Sequence, residues 1–152
     1  MSKNMDVFKR YFDMIYANPP ASVIEANEKY LADDYKNFDK DGNVAMDKKS
    51  YIDMGRLLFK SFKNLEYVTS DTHEEGNSVI VTGHFKGTHT GDLDLTSMGV
   101  GVIPASGKMV VWPESSTKFN IEGDKIVSQQ DVGDNGGMGE FLKLLGVELP
   151  SA

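Results

Sequence analysis

The stretch Ser115-Ser116-Thr117-Lys118-Phe119-Asn120-Ile121-Glu122-Gly123-Asp124-Lys125-Ile126-Val127-Ser128-Gln129-Gln130-Asp131-Val132 decides the fold. Apolar and polar residues alternate on both sides of Gly123-Asp124, which marks two antiparallel strands joined by a two-residue turn. Such a turn pairs Glu122 with Lys125 and Ile121 with Ile126. Counted outward, Phe119 falls opposite Ser128, Thr117 opposite Gln130, Ser115 opposite Val132 and Pro113 opposite Asp134. Side chains alternate across a strand, so one face is predicted to carry Phe119, Ile121, Ile126 and Val132, with Thr117, Ser128, Gln130 and Asp134 among them. The other face, with Glu114, Lys118, Asn120, Gln129 and Asp131, reads as solvated. The apolar face needs a cover, and a carboxylate at its end amid uncharged polar groups has the composition of a ligand pocket. Pro113 cannot donate to a strand ladder. A bulge there would reverse the register and turn Trp112 and Glu114 inward, making Glu114 the alternative carboxylate.

Outward from this hairpin, residues 108–121 read as its first strand, and residues 65–72 and 78–90 as two more about the tight turn Glu75-Gly76-Asn77. Residues 91–106 form a Gly-rich loop, long enough for a functional lid or rim. Before the strands the period is helical. Phe8, Tyr11, Phe12 and Ile15 place a helix over residues 4–17, stopped at Asn18-Pro19-Pro20 because the residue before a proline avoids helical dihedrals. Ser22 is expected to cap a second helix with Val23, Ile24, Asn27, Tyr30 and Leu31 on one face, and residues 33–43 read as polar turns. Asp47 is expected to cap a third helix with Tyr51, Met54, Leu58 and Phe62 inward. After Gly136-Gly137, a last short helix carries Met138, Phe141, Leu142 and Leu145 and closes at Gly146. The order predicts one α+β domain over residues 1–152. Three N-terminal helices pack on a strongly bent antiparallel sheet of residues 64–132, a short C-terminal helix follows, and the whole encloses an apolar pocket for a small organic ligand.

Composition narrows the function. The net charge is −7 and the basic residues gather only in pairs such as Lys9-Arg10 and Lys48-Lys49. Nucleic acid is gripped by Lys and Arg on phosphates, so no nucleic-acid partner is expected. No apolar run approaches the length of a membrane span, and Met1 to Phe12 does not read as a signal peptide. No membrane association and a cytoplasmic location are therefore expected. The absence of cysteine excludes disulfides, thiolate metal sites and a cysteine nucleophile.

Four segments, in their order and spacing, resemble the SnoaL-like polyketide cyclases. They are Gly83-His84-Phe85-Lys86-Gly87-Thr88-His89-Thr90-Gly91, Pro104-Ala105-Ser106-Gly107-Lys108, Gly123-Asp124-Lys125-Ile126, and Asp134 followed by the Leu-Leu-Gly that ends at Gly146. Tyr35-Lys36-Asn37-Phe38-Asp39 is similar to that family's tyrosine, asparagine, histidine stretch. The likeness spans residues 5–147 and implies a cone-shaped α+β barrel of the nuclear-transport-factor-like superfamily. It implies a polyketide-cyclase-like enzyme (an intramolecular aldol or ester cyclase, or an isomerase) that uses no metal or organic cofactor and assembles as a homodimer or homotetramer. Asp134 matches the family's general acid/base. It would take a proton alpha to a carbonyl, let the enolate attack a second carbonyl, and return the proton to the alkoxide. Phe38 stands in place of the usual histidine, Gln130 in place of the usual tryptophan, and residues 92–102 form a longer loop, which points to a different substrate. A non-catalytic small-molecule binder using the same cavity is the alternative.

Further site candidates follow from faces and types. His89 shares a face with Val79, Val81 and Phe85 and is the second acid/base candidate, while His84 is expected to point out. Tyr35, Asn37, Phe38, Met54, Phe59, Phe85, Trp112, Phe119 and Gln130 are the candidate substrate contacts. Asp134, ahead of Asn135-Gly136-Gly137, has a structural alternative as the cap of the last helix. Asp39-Lys40-Asp41-Gly42-Asn43 begins like a calcium loop, but Val44 and Ser50 stand where glycine and a bidentate glutamate belong, so a turn is the better reading.

Overall fold

The structure, a computed structural model, describes residues 3–96 and 101–132. Helix α1, Lys3–Ile15, buries Val7, Phe8, Tyr11 and Ile15, the stripe that its spacing predicts. Helix α2, Ala21–Tyr30, has Pro20 rather than Ser22 at its N-cap. The Ser22 hydroxyl is used otherwise: it donates to the Ile15 carbonyl at 2.6 Å and accepts the Asn18 amide at 3.0 Å, tying the start of α2 to the end of α1.

The stretch expected as polar turns is mostly strand. Strand β1, Leu31–Phe38, and strand β2, Val44–Asp47, pair antiparallel about a turn in which the Asp39 carboxylate accepts the amides of Asp41 and Asn43, each at 2.9 Å. Only Leu31 and Tyr35 of β1 are buried, four residues apart, because its pairing is broken between Leu31 and Lys36. That irregularity erased the alternation by which a strand is recognised. Helix α3, Lys48–Ser61, begins as expected, with the Asp47 carboxylate accepting the Ser50 amide at 2.9 Å. Phe62, expected on the α3 stripe, instead opens the next strand.

That strand is β3, Phe62–Glu75, followed by β4, Ser78–His89, in a long hairpin. Gly83 lets them press together: a Cβ there would collide with the Val68 carbonyl oxygen. Strands β5, Leu93–Leu95, and β6, Gly101–Ile103, form a small separate sheet within the expected loop. The strand expected over 108–121 is two, β7, Met109–Val111, and β8, Ser115–Glu122, and β9, Lys125–Asp131, closes the described chain. Along β4 the pairing moves three residues, from Lys86 to Gly83, while its partner moves four, from Val111 to Ser115. The extra residue is absorbed around Pro113. The main sheet runs β2-β1-β9-β8-β4-β3, with β7 also on β4. It is mixed, not purely antiparallel, because β1 lies parallel to β9. A parallel neighbour needs a crossover, which is invisible to hairpin-by-hairpin reading.

Two apolar clusters result. One joins α1 and α2 to Tyr35, Val79, Val81, Phe119, Ile121 and Ile126 of the sheet. The other gathers Met54, Phe62, Leu65, Leu93, Leu95, Ile103 and Val110. Among the described residues no helix is long and apolar enough to cross a membrane. The expected C-terminal helix lies outside the described residues.

Candidate functional site

The β8–β9 hairpin opens as predicted, with Glu122 opposite Lys125 and Ile121 opposite Ile126. The next pair is Asn120 with Ser128, so Val127 is an extra residue on β9. A one-residue bulge inverts every side chain beyond it. Phe119 therefore faces Gln129, Lys118 faces Gln130, and Thr117 faces Asp131. Gln129, expected in solvent, is only 4% exposed, and Asp131 turns to the same side. Gln130, expected inside, is off the cavity wall and reaches the Asp39 carbonyl at 3.5 Å.

Between the two clusters lies a cavity of about 490 Å³, a size that suits a small organic molecule. Of the expected contacts, Asn37, Met54, Phe59, Phe85, Trp112 and Phe119 come together on its wall. Tyr35 sits behind the wall, with its ring 5.3 Å from that of Tyr51 and its hydroxyl accepting from the Asn37 amide at 3.5 Å. Phe38 does not line the cavity. Trp112 faces in, as a bulge at Pro113 would require, but Glu114 remains exposed. His84, expected to point out, reaches the lining.

His89 is on the inward face as expected but beyond the cavity. It stacks on Phe62 at 4.8 Å, and Phe62 in turn meets Trp112 at 5.2 Å, so two rings separate it from the ligand space. It is 1% exposed, and burial lowers its proton affinity, outweighing the opposite effects of the Gly91 backbone and the Asp92 charge. A neutral packing residue fits that setting better than an acid/base group. Asp134 lies outside the described residues.

The polar groups that sequence reading missed are Tyr51, Gln129 and Asp131. Gln129 Nε2 donates to the Tyr51 hydroxyl at 3.1 Å, while the Tyr11 hydroxyl donates to Asn27 Oδ1 at 2.5 Å. Burial raises the Asp131 carboxyl above the ordinary carboxylate value, and the charge of Asp39 adds to the effect. Burial likewise raises the Tyr51 phenol. A partly desolvated carboxyl holds its proton more tightly than a solvated one, so its ionised form is the stronger base and its protonated form is the more populated acid. Among the described residues, no three His, Asp or Glu side chains are grouped to hold a metal.

The model of the SnoaL-like polyketide cyclases matches residues 13–140. The chain belongs to this family. No curated protein sequence matches it significantly. Among solved structures, AclR, a candidate hydroxylase from Streptomyces galilaeus, superposes with a TM-score of 0.71 at 19% identity, covering 96% of this chain and 97% of that one. A candidate SnoaL-like polyketide cyclase from Jannaschia sp. CCS1 gives 0.66 at 20%, with 84% and 83% covered. IdmH from Streptomyces antibioticus, a candidate polyketide cyclase, gives 0.65 at 17%, with 96% and 100% covered. At such identities these structures establish the shared fold of this SnoaL-like chain and no more.

Proposed function

We propose that this SnoaL-like protein is a cofactor-free acid/base enzyme that acts on a small apolar carbonyl compound, by aldol or ester cyclisation or by isomerisation. The observation that carries the reading is Asp131, a carboxylate of elevated proton affinity on the wall of a largely apolar cavity. Its ionised form would take a proton alpha to the substrate carbonyl, leaving the electron pair as an enolate. In a cyclisation the enolate carbon attacks a second carbonyl, and the protonated carboxyl returns its proton to the new alkoxide. In an isomerisation the proton returns to a different carbon. Met54, Phe59, Phe85 and Trp112 make much of the cavity wall apolar, and partial burial of the carboxylate on that wall makes it a stronger base than a solvated one. Asp134, three residues further on, is the carboxylate that the family resemblance selects, and the two are separated below by substitution.

The elementary step is tested by incubating the protein with 2-tetralone in deuterium oxide and following loss of its alpha-proton signals by NMR. Exchange faster than in protein-free buffer of the same composition is expected. A protein that binds 2-tetralone without accelerating exchange is a binder, and the acid/base reading fails.

A further inference from the structure

The polar floor of the cavity sets a hydrogen-bond donor beside the carboxylate. On β9, Gln129 and Asp131 are two residues apart, and both reach the cavity wall. Alternate residues of a strand share a face and stand about 6.5 Å apart. Their partners across the hairpin, Phe119 and Thr117, line the cavity too, so this face of β8 and β9 is one continuous wall. Gln129 is nearly fully buried, and the Tyr51 hydroxyl engages both ends of its amide, accepting from Nε2 at 3.1 Å and donating to Oε1 at 3.4 Å. An amide nitrogen carries two hydrogens. The hydrogen bonds of Gln129 within the described residues use only one of them. Asn37, its neighbour on β1, also lines the cavity but is held less firmly, by one contact of 3.5 Å to the Tyr35 hydroxyl.

We infer that Gln129 is the oxyanion-stabilising residue of this cavity: its second amide N–H hydrogen-bonds the substrate's carbonyl oxygen while Asp131 takes the proton from the adjacent carbon. The C–H bond breaks, its proton passes to the Asp131 carboxylate, and its electron pair forms the C=C bond of an enolate whose negative charge rests on oxygen. Gln129 gives up no proton. Its hydrogen bond strengthens as charge develops on the oxygen, so it favours the transition state over the bound ketone. The spacing suits a single substrate unit, because contacts of about 3 Å at each end of an H–C–C=O group span a length comparable with two strand residues. The inference deepens the proposed function and rests on its reading of Asp131 as the acid/base group.

Trp112 is the sole tryptophan and lines the cavity, so its fluorescence reports occupancy. The infrared carbonyl stretch of bound 2-tetralone, picked out with a carbon-13 label, is expected below its position in hexane, because a hydrogen bond weakens the C=O bond. Gln129→Met keeps the length of the side chain and removes the amide. It should return the stretch toward the hexane position and lower kcat for 2-tetralone exchange about 10²- to 10³-fold, the usual loss of one oxyanion donor, with KM within about threefold. Gln129→Asn draws the amide back by one methylene; it should act in the same direction, and it is read instead if the methionine variant does not fold. A wild-type stretch at the hexane position, a stretch that the substitution does not move, or turnover within about threefold of wild type each overturn the inference and leave the acid/base reading intact. Wild-type protein that binds 2-tetralone, as Trp112 reports, without exchanging its alpha-protons overturns that reading and the oxyanion role with it.

Discussion

Asp131→Asn should fold, retain the cavity and lose about 10²- to 10⁴-fold of its rate of 2-tetralone proton exchange, the usual contribution of a general acid/base. Asparagine keeps the shape of the side chain but has no ionisation between acid and neutral pH. The same substitution should leave the protein more stable at neutral pH, and the sign follows from the direction of the shift. Burial raises the Asp131 carboxyl above its unfolded value. A group with a raised folded value contributes its full stability below the unfolded value and loses it as pH rises through the folded one. At neutral pH the ionised Asp131 is therefore a burden on the fold that asparagine removes. Urea melts should show Asp131→Asn gaining on the wild type from acid to neutral pH. A variant with wild-type exchange, beside an Asp134→Asn variant without it, would assign the proton transfer to Asp134.

Phe119→Ala should cost about 3–5 kcal/mol of unfolding free energy, the range for emptying a buried phenylalanine site. Phe119 is 5% exposed and sits edge-on to Phe8 at 5.1 Å and near Phe12 at 6.3 Å, joining α1 to β8. It also lines the cavity opposite Gln129, so its removal adds empty space next to space already present, and little can collapse to fill it. Small domains are stable by about 5–15 kcal/mol, so the change removes a large share. Urea denaturation at neutral pH reads it, and a loss under about 1 kcal/mol would mean that the ring is only loosely seated against α1.

Local signals were legible in the sequence where the chemistry is local. The α1 stripe of Phe8, Tyr11 and Ile15, the Asp47 cap and the Gly123-Asp124 turn each involve residues within a few positions of one another. Strand β1 was not legible, because its long-range partner β9 lies more than ninety residues further along the chain and its own pairing is interrupted. The aromatic wall was foreseen from residue type: Phe59, Phe85, Trp112 and Phe119 all meet in one place. The polar floor was not. Strict alternation gave Gln130 the position that Gln129 holds, since nothing in Ile126-Val127-Ser128 announces a bulge. Alternation also put His89 on the right face, but the face says nothing of depth, and His89 stacks on Phe62 beyond the cavity.

Proton transfer inside this cavity is read by following 2-tetralone exchange and Trp112 fluorescence together while 4-hydroxybenzophenone is added, with 2-tetralone kept far below saturation. Exchange should fall to the protein-free rate in step with Trp112 quenching, both half-complete at the same probe concentration. Exchange that persists at full quenching would place the chemistry elsewhere and contradict it.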